Sequence, residues 1–244
     1  MGFPHSGTSI LKRIIGNDGD VFEYPYETNA ITEPMLAEAS AAAKRAIVVK
    51  DINFPWMPSY QIPAETARVV SEFKEFLSAN AGCRFIMVIK NPADILGSLN
   101  KRFGVLPDAE RPAGHSFREW ETWAEVFHFF RANPQANLFT VTYEEFFAGG
   151  HARLAELFEF LGLAFGPHLL TSDRASLIVD NVTEVPEAEP ASRENGAAHG
   201  AFRTWQINQP FRDMTGESAR FLDAATAALI GASRIAGRLG YADP

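Results

Sequence analysis

The sequence predicts an α/β layered fold, and the prediction rests on three short apolar runs and on the helical periodicity between them. Ala46-Ile47-Val48-Val49, Phe85-Ile86-Met87-Val88-Ile89 and Leu138-Phe139-Thr140-Val141-Thr142 are rich in β-branched and aromatic residues and read as strands. The first two lack polar alternation, as expected of strands buried on both faces of a parallel sheet. Strand and helix alternate along the chain, the pattern of helices layered on a sheet.

The helices come in order along the chain. Ile10, Leu11, Ile14 and Ile15 make one apolar face that ends near Gly16. The segment Ile62 to Ala79 carries Val69, Val70, Phe73, Phe76 and Leu77 at helical spacing. Asn91-Pro92 directly after the second strand is a helix start, with Asn as N-cap and Pro in the first turn, and that helix is expected to run to about Arg102. Phe117 to Phe130 places Trp120, Ala124, Phe127 and Phe130 on one stripe, which reads as core before it reads as a ligand pocket. His151 to Leu161 and Glu217 to Leu239 are further amphipathic segments. Residues 172–203 hold Pro186, Pro190, Gly196 and Gly200 without a sustained period, and read as a long loop of the kind that is either mobile or functional. The stretch after residue 203 is too short to fold alone, so a single domain over 1–244 is expected.

Composition narrows the function. The chain has 244 residues, 46% hydrophobic and 21% charged, which excludes disorder as the main state. No apolar run approaches the roughly 18 to 20 residues that span a bilayer. Lys and Arg total 22 against 30 Asp and Glu, a net charge of -8, which argues against nucleic acid as the principal partner and requires any anion to be bound at a local site. Cys83 is the single cysteine, and no Cys/His cluster has zinc-site spacing, so no metal is implied and a reducing cytoplasm is the expected location.

The most specific local pattern is Gly2-Phe3-Pro4-His5-Ser6-Gly7-Thr8-Ser9 ahead of the first helix. Its spacing is that of a phosphate-binding G-x-x-x-x-G-K-[ST] loop with Thr8 in place of the lysine. Glycines, backbone N–H groups and a helix N-terminus still cradle an anion. The cation that reaches the β- and γ-phosphates is missing, which argues against nucleoside triphosphate hydrolysis.

This loop resembles that of the sulfotransferase superfamily, written G-x-P-[RK]-S-G-T-[TS], which takes the 5′-phosphosulfate of 3′-phosphoadenosine 5′-phosphosulfate (PAPS). Lys90-Asn91-Pro92-Ala93-Asp94-Ile95-Leu96-Gly97-Ser98 is similar to the family's R-N-P-x-D-x-x-x-S element for the 3′-phosphate. Val49-Lys50-Asp51 and Tyr26-Glu27-Thr28 resemble elements of the branch that holds tyrosylprotein sulfotransferases and many bacterial members. Tyr143-Glu144-Glu145-Phe146, Gly200 to Trp205 and Leu239-Gly240-Tyr241 are similar to the family's Y-E-[DE]-L, nucleotide-covering and L-G-Y segments. His5 stands where the family has Lys or Arg, and Lys90 where it has Arg. The family's sheet has a strand feeding the loop, so the resemblance implies residues before Met1.

The resemblance implies a three-layer, doubly wound, mainly parallel sheet of the P-loop NTPase-like sulfotransferase type. It implies sulfuryl transfer from PAPS, with PAP as product, to a hydroxyl or amine of a small-molecule, carbohydrate or peptide acceptor. On this basis Pro4, His5, Ser6, Gly7, Thr8 and Ser9 hold the 5′-phosphate and sulfate, with His5 a hydrogen-bond donor at the reacting end. Lys50 stabilises the transferring group, and Glu27 is the general base, with His115 as the alternative base. Lys90 and Ser98, joined by Arg203, hold the 3′-phosphate. Lys50 has a plainer reading as a solvated strand-end lysine, and Glu27 as a surface acid. Two other functions remain open at this point: a non-catalytic PAP-binding homologue, and a small-molecule kinase on a related fold, for which Asp51 is placed but the loop lysine is missing. Acceptor contacts are expected from 22–35, 54–66, 103–118 and 172–203.

Overall fold

The structure, a computed structural model, describes residues 1–3, 6–27, 31–50, 66–111, 116–170 and 213–241, without the side chains of 25–27, 102 and 103. Pro4, His5, Thr28, Asp51, His115, Arg203, the Phe54–Tyr60 stretch and the 172–203 loop lie outside the described residues.

The expected α/β architecture is present. In chain order the elements are α1 (Thr8–Gly16), β1 (Val21–Glu27), α2 (Glu33–Ala41), β2 (Ala46–Lys50), α3 (Thr66–Ala79), β3 (Phe85–Ile89), α4 (Pro92–Phe103), α5 (Phe117–Ala132), β4 (Leu138–Thr142), α6 (Ala152–Leu161), α7 (Ala224–Ala232) and α8 (Arg234–Arg238). Both strand pairs are parallel: β1 with β2, and β3 with β4 in unbroken register from Phe85↔Leu138 to Ile89↔Thr142. Gly2 forms a further parallel bridge to Val88. Among the described residues no helix is long and apolar enough to cross a membrane.

The β3–β4 pair is buried on both faces, as its unbroken apolar sequence predicts. Met87 and Ile89 point into a core built by α3, α4, α5, α7 and α8, while Val88 and Val141 point into a second core with Leu11, Ile14 and Ile15 of α1 and Leu154, Leu157 and Phe158 of α6. Trp120, Trp123, Phe127 and Phe130 are all buried in the first core, so the aromatic stripe of α5 is packing and not an acceptor pocket.

Three elements differ from the sequence expectation, each for a local reason. β1 is a strand although its sequence contains Pro25. The proline has no N–H for the ladder, and the register with β2 is irregular between Glu23 and Glu27, which bracket it. α2 buries only Met35 and Ala39, too few apolar positions to give a readable period. The segment expected as one helix over Glu217–Leu239 is instead broken into a 3-10 turn at Ala219–Phe221, α7 and α8. Asp223 caps α7 by accepting from Thr226 N at 2.8 Å, and Ser233 caps α8 by accepting from Ala236 N at 3.3 Å. Each cap side chain offers the backbone a restart in place of continuation.

α4 is held to the C-terminal part of the chain by close backbone approach. A Cβ on Gly97 would lie 2.0 Å from the carbonyl oxygen of Ser218. Replacing a mid-helix glycine by alanine gains up to about 1 kcal/mol in helix propensity, but this contact forces a backbone shift that costs about 1–3 kcal/mol. Gly97→Ala is therefore expected to lower stability in chemical denaturation; an unchanged or higher midpoint would show that residues 213–222 do not bear on α4 in solution.

Candidate functional site

The polar groups of interest gather where the parallel strands end and the next helices begin. Residues 1–3 lie alongside β3: the Met1 amino group donates to Ile86 O at 2.8 Å and Val88 N donates to Met1 O at 3.0 Å. Gly2 is bridged in parallel to Val88, so this segment runs beside β3 into the loop. Beyond it Ser6 N donates to Phe3 O at 3.1 Å, Gly7 takes φ 87°, and α1 begins at Thr8. Only glycine adopts that conformation without strain, and here there is also no room: a Cβ on Gly7 would lie 2.4 Å from Cδ2 of Tyr143. No side chain caps α1, so its first N–H groups are left to whatever sits before the helix.

Two hydroxyls and an ammonium stand at this helix start. Ser6 is fully buried, and its Oγ has no hydrogen-bond partner among the described residues. A buried hydroxyl without a partner is costly, so its position at a helix start calls for an explanation. Lys50, at the end of β2, is 6% exposed and donates from Nζ to Ser9 Oγ at 2.7 Å. It is not a solvated strand-end lysine. Since an ammonium can only donate, Ser9 accepts from it and keeps its own O–H for another acceptor. Glu27 and Lys50 are register partners at the ends of β1 and β2, so the two residues expected to act on the reacting groups occupy adjoining backbone positions.

The second cluster lies at the end of β3. Asn91 caps α4 as predicted, its side chain accepting from Ala93 N at 2.9 Å. Lys90 Nζ lies 4.2 Å above the Tyr143 ring and 3.6 Å from Asp94 Oδ2. Asp94 is 2% exposed and accepts from Gly216 N at 2.7 Å and from Ser218 N at 3.1 Å. Asp94 and Ser98 are four residues apart within α4 and so share one face of it, while Lys90 lies just before the helix and reaches Asp94 from there. Ser98 is half-buried. Burial pushes the Tyr143 hydroxyl far above the ordinary phenol range, with Asp213 and Asp94 adding to it against a backbone hydrogen bond from Met214, so the ring beneath Lys90 stays neutral.

Comparison with known proteins decides the family. The family model described as a sulfotransferase domain matches residues 1–234. The chain belongs to the sulfotransferase family. Two solved structures are similar to it: a sulfotransferase domain from the curacin biosynthetic pathway, 16% identical, with 100% of this chain and 96% of that chain covered at a TM-score of 0.43, and a mouse sulfotransferase complexed with PAP, 14% identical, with 98% and 85% covered at a TM-score of 0.42. None of the curated proteins compared with the chain matches it. Family membership makes sulfuryl transfer the reaction class of this sulfotransferase.

In the sulfotransferase the structure brings Ser9 and Lys50 together beside the Ser6–Gly7–Thr8 turn, and places Lys90 just before α4 and Ser98 within it. The side chain of Glu27, and Pro4, His5 and Arg203, lie outside the described residues. Sequence reasoning did not identify Asp94, Trp120, Tyr143, Glu144 and Tyr241 as parts of this rim. An acid and aromatics inside motifs were visible, but their partners lie far away in sequence.

The orphaned hydroxyl yields a two-part expectation. Ser6→Ala removes a buried group that has no partner among the described residues, so the unliganded protein should be no less stable, and up to about 1 kcal/mol more so. The thermal protection given by inorganic sulfate should shrink in the same variant. A clear loss of unliganded stability would mean that Ser6 serves packing and not an anion.

Proposed function

We propose that this sulfotransferase moves a sulfuryl group from PAPS to a hydroxyl or amine of a small-molecule, carbohydrate or peptide acceptor, by in-line displacement. The observation that carries the reading is the start of α1, where a Ser6 hydroxyl and a helix N-terminus that have no side-chain partner among the described residues stand with the Lys50 ammonium on Ser9. That donor set suits an anion with several oxygens and has no triphosphate lysine. PAPS, when bound, supplies a sulfuryl group whose bond to the bridging 5′-phosphate oxygen breaks as the acceptor oxygen or nitrogen bonds to sulfur.

The residues of the chain divide the remaining work. Ser6, Thr8 and Ser9, with the N–H groups at the start of α1, hold the 5′-phosphate end, and Pro4 and His5 complete the loop. Lys50 neutralises charge that develops on the bridging oxygen, a preorganised contact that costs little to form at the moment of reaction. Glu27, the register partner of Lys50, takes the acceptor's proton. Lys90 and Ser98, with Arg203, hold the 3′-phosphate. In this role Lys90 leaves a weak partner, since Asp94 at 3.6 Å already has two N–H donors.

Calorimetric titration with PAP and with 5′-AMP, which differ only by the 3′-phosphate, tests the donor assignment. Preference for PAP is expected, and equal binding would overturn it. Lys50→Ala is expected to lower kcat by about 10²- to 10³-fold with little change in PAP affinity; equal losses in both would remove Lys50 from the transition state. Lys90→Ala and Ser98→Ala are expected to raise the Kd for PAP, and an unchanged Kd would remove them from the 3′-phosphate site.

A further inference from the structure

The peptide bond between Lys90 and Asn91 has both of its polar groups held by side chains. Trp120 Nε1 donates to the Lys90 carbonyl at 3.1 Å, and the Asn91 N–H donates to Glu144 Oε1 at 2.9 Å. The other carboxylate oxygen of Glu144 accepts from the Tyr241 hydroxyl at 2.8 Å. Tyr241 is 7% exposed and packs against Trp120, ring centroids 6.2 Å apart at 60°. Three side chains from three distant parts of the chain therefore close around one peptide plane, just past the end of β3.

That plane sets two directions at once. Lys90 leaves from one side of it, and Asn91, the N-cap that starts α4, from the other. Rotating the plane would turn the ammonium and the first turn of the helix together. A carboxylate suits the task because it accepts two hydrogen bonds in one plane, and those to a charged acceptor are the strong ones. Here a charged side chain is committed to a partly buried N–H beside a proposed anion site, and that side chain is itself anchored by a buried tyrosine.

We infer that Glu144, anchored by Tyr241, is a positioning residue for the 3′-phosphate end of the donor site, holding the Lys90–Asn91 peptide so that Lys90 and the start of α4 face that phosphate. The inference rests on the donor reading above and adds to it residues that touch no part of the donor. It also gives a shared task to the Y-E-E-F and L-G-Y segments, which the donor reading leaves unused.

The test compares PAP with 5′-AMP on the full chain. Tyr241→Phe keeps the ring in the core and removes one hydrogen bond, and Glu144→Gln keeps the shape and one acceptor oxygen. Dissociation constants for both nucleotides are measured by calorimetry for the wild type and each variant, with melting temperatures alongside. The expected result is a rise of about 3- to 10-fold in the Kd for PAP, with 5′-AMP unchanged within error, so that the preference for PAP narrows. A merely structural role would weaken both nucleotides alike or lower only the melting temperature, and either result overturns the inference, as does an unaltered preference in both variants. If Glu144→Gln does not fold, Tyr241→Phe carries the test alone. A wild type that fails to distinguish PAP from 5′-AMP overturns the donor reading and this inference with it; a wild type that distinguishes them beside variants that do so equally well overturns the inference only.

Discussion

A parallel pair of strands buried on both faces leaves only its ends for polar chemistry, and the rest of this structure is arranged around that constraint. Apart from Thr140 and Thr142 of β4, the side chains of β3 and β4 are apolar and fill two cores, one on each face, so little polar is offered along their length. At their carboxyl ends the chain turns into α4 after β3 and into Tyr143 after β4, while α1 starts beside them after Gly7. Open α/β sheets present their ligand sites at this rim, where helix N-termini add positive potential. In a protein with a net charge of -8, Lys50 and Lys90 each stand at the carboxyl end of a parallel strand, and two helices start after such ends.

The acids at the same rim do not contradict this. Asp94 and Glu144 would each weaken the attraction for an anion if their charge were free. Each instead accepts two hydrogen bonds: Asp94 from Gly216 and Ser218, Glu144 from Asn91 and Tyr241. Leaving such buried donors unmatched costs about 1–3 kcal/mol each, comparable to what a neighbouring charge subtracts from anion binding in a partly hydrated site. Asp94 and the Tyr143 ring both lie against the Lys90 ammonium and set its direction.

How much of this was legible in the sequence depends on how local the signal is. The three apolar runs became β2, β3 and β4, and Asn91-Pro92 marked the start of α4, because burial on both faces and N-capping are written in a few consecutive residues. β1 was hidden by Pro25, whose effect is confined to one irregular stretch of register. The break between α7 and α8 depends on Ser233, whose hydroxyl also donates to Glu121 at 2.6 Å, a partner that periodicity cannot reveal. The site divides in the same way. Ser6, Gly7 and Thr8 stand in one motif, and Lys50 was found by resemblance. The Glu144–Tyr241 bond joins residues 97 positions apart and the Asp94–Ser218 bond joins residues 124 apart, so no window of sequence contains either.

Those separations also order events in time. During synthesis the loop before α1 and both strand ends emerge first, and yet the ring around the Lys90–Asn91 peptide closes only when Tyr241 arrives. Contacts of such long range form after local ones, because the intervening chain must give up its freedom before they return anything. A nascent or truncated chain can therefore hold its helices and β3 while its rim remains unorganised. A chain damaged near its carboxyl end would keep most of its secondary structure and lose the geometry of a site that lies mainly in its first half.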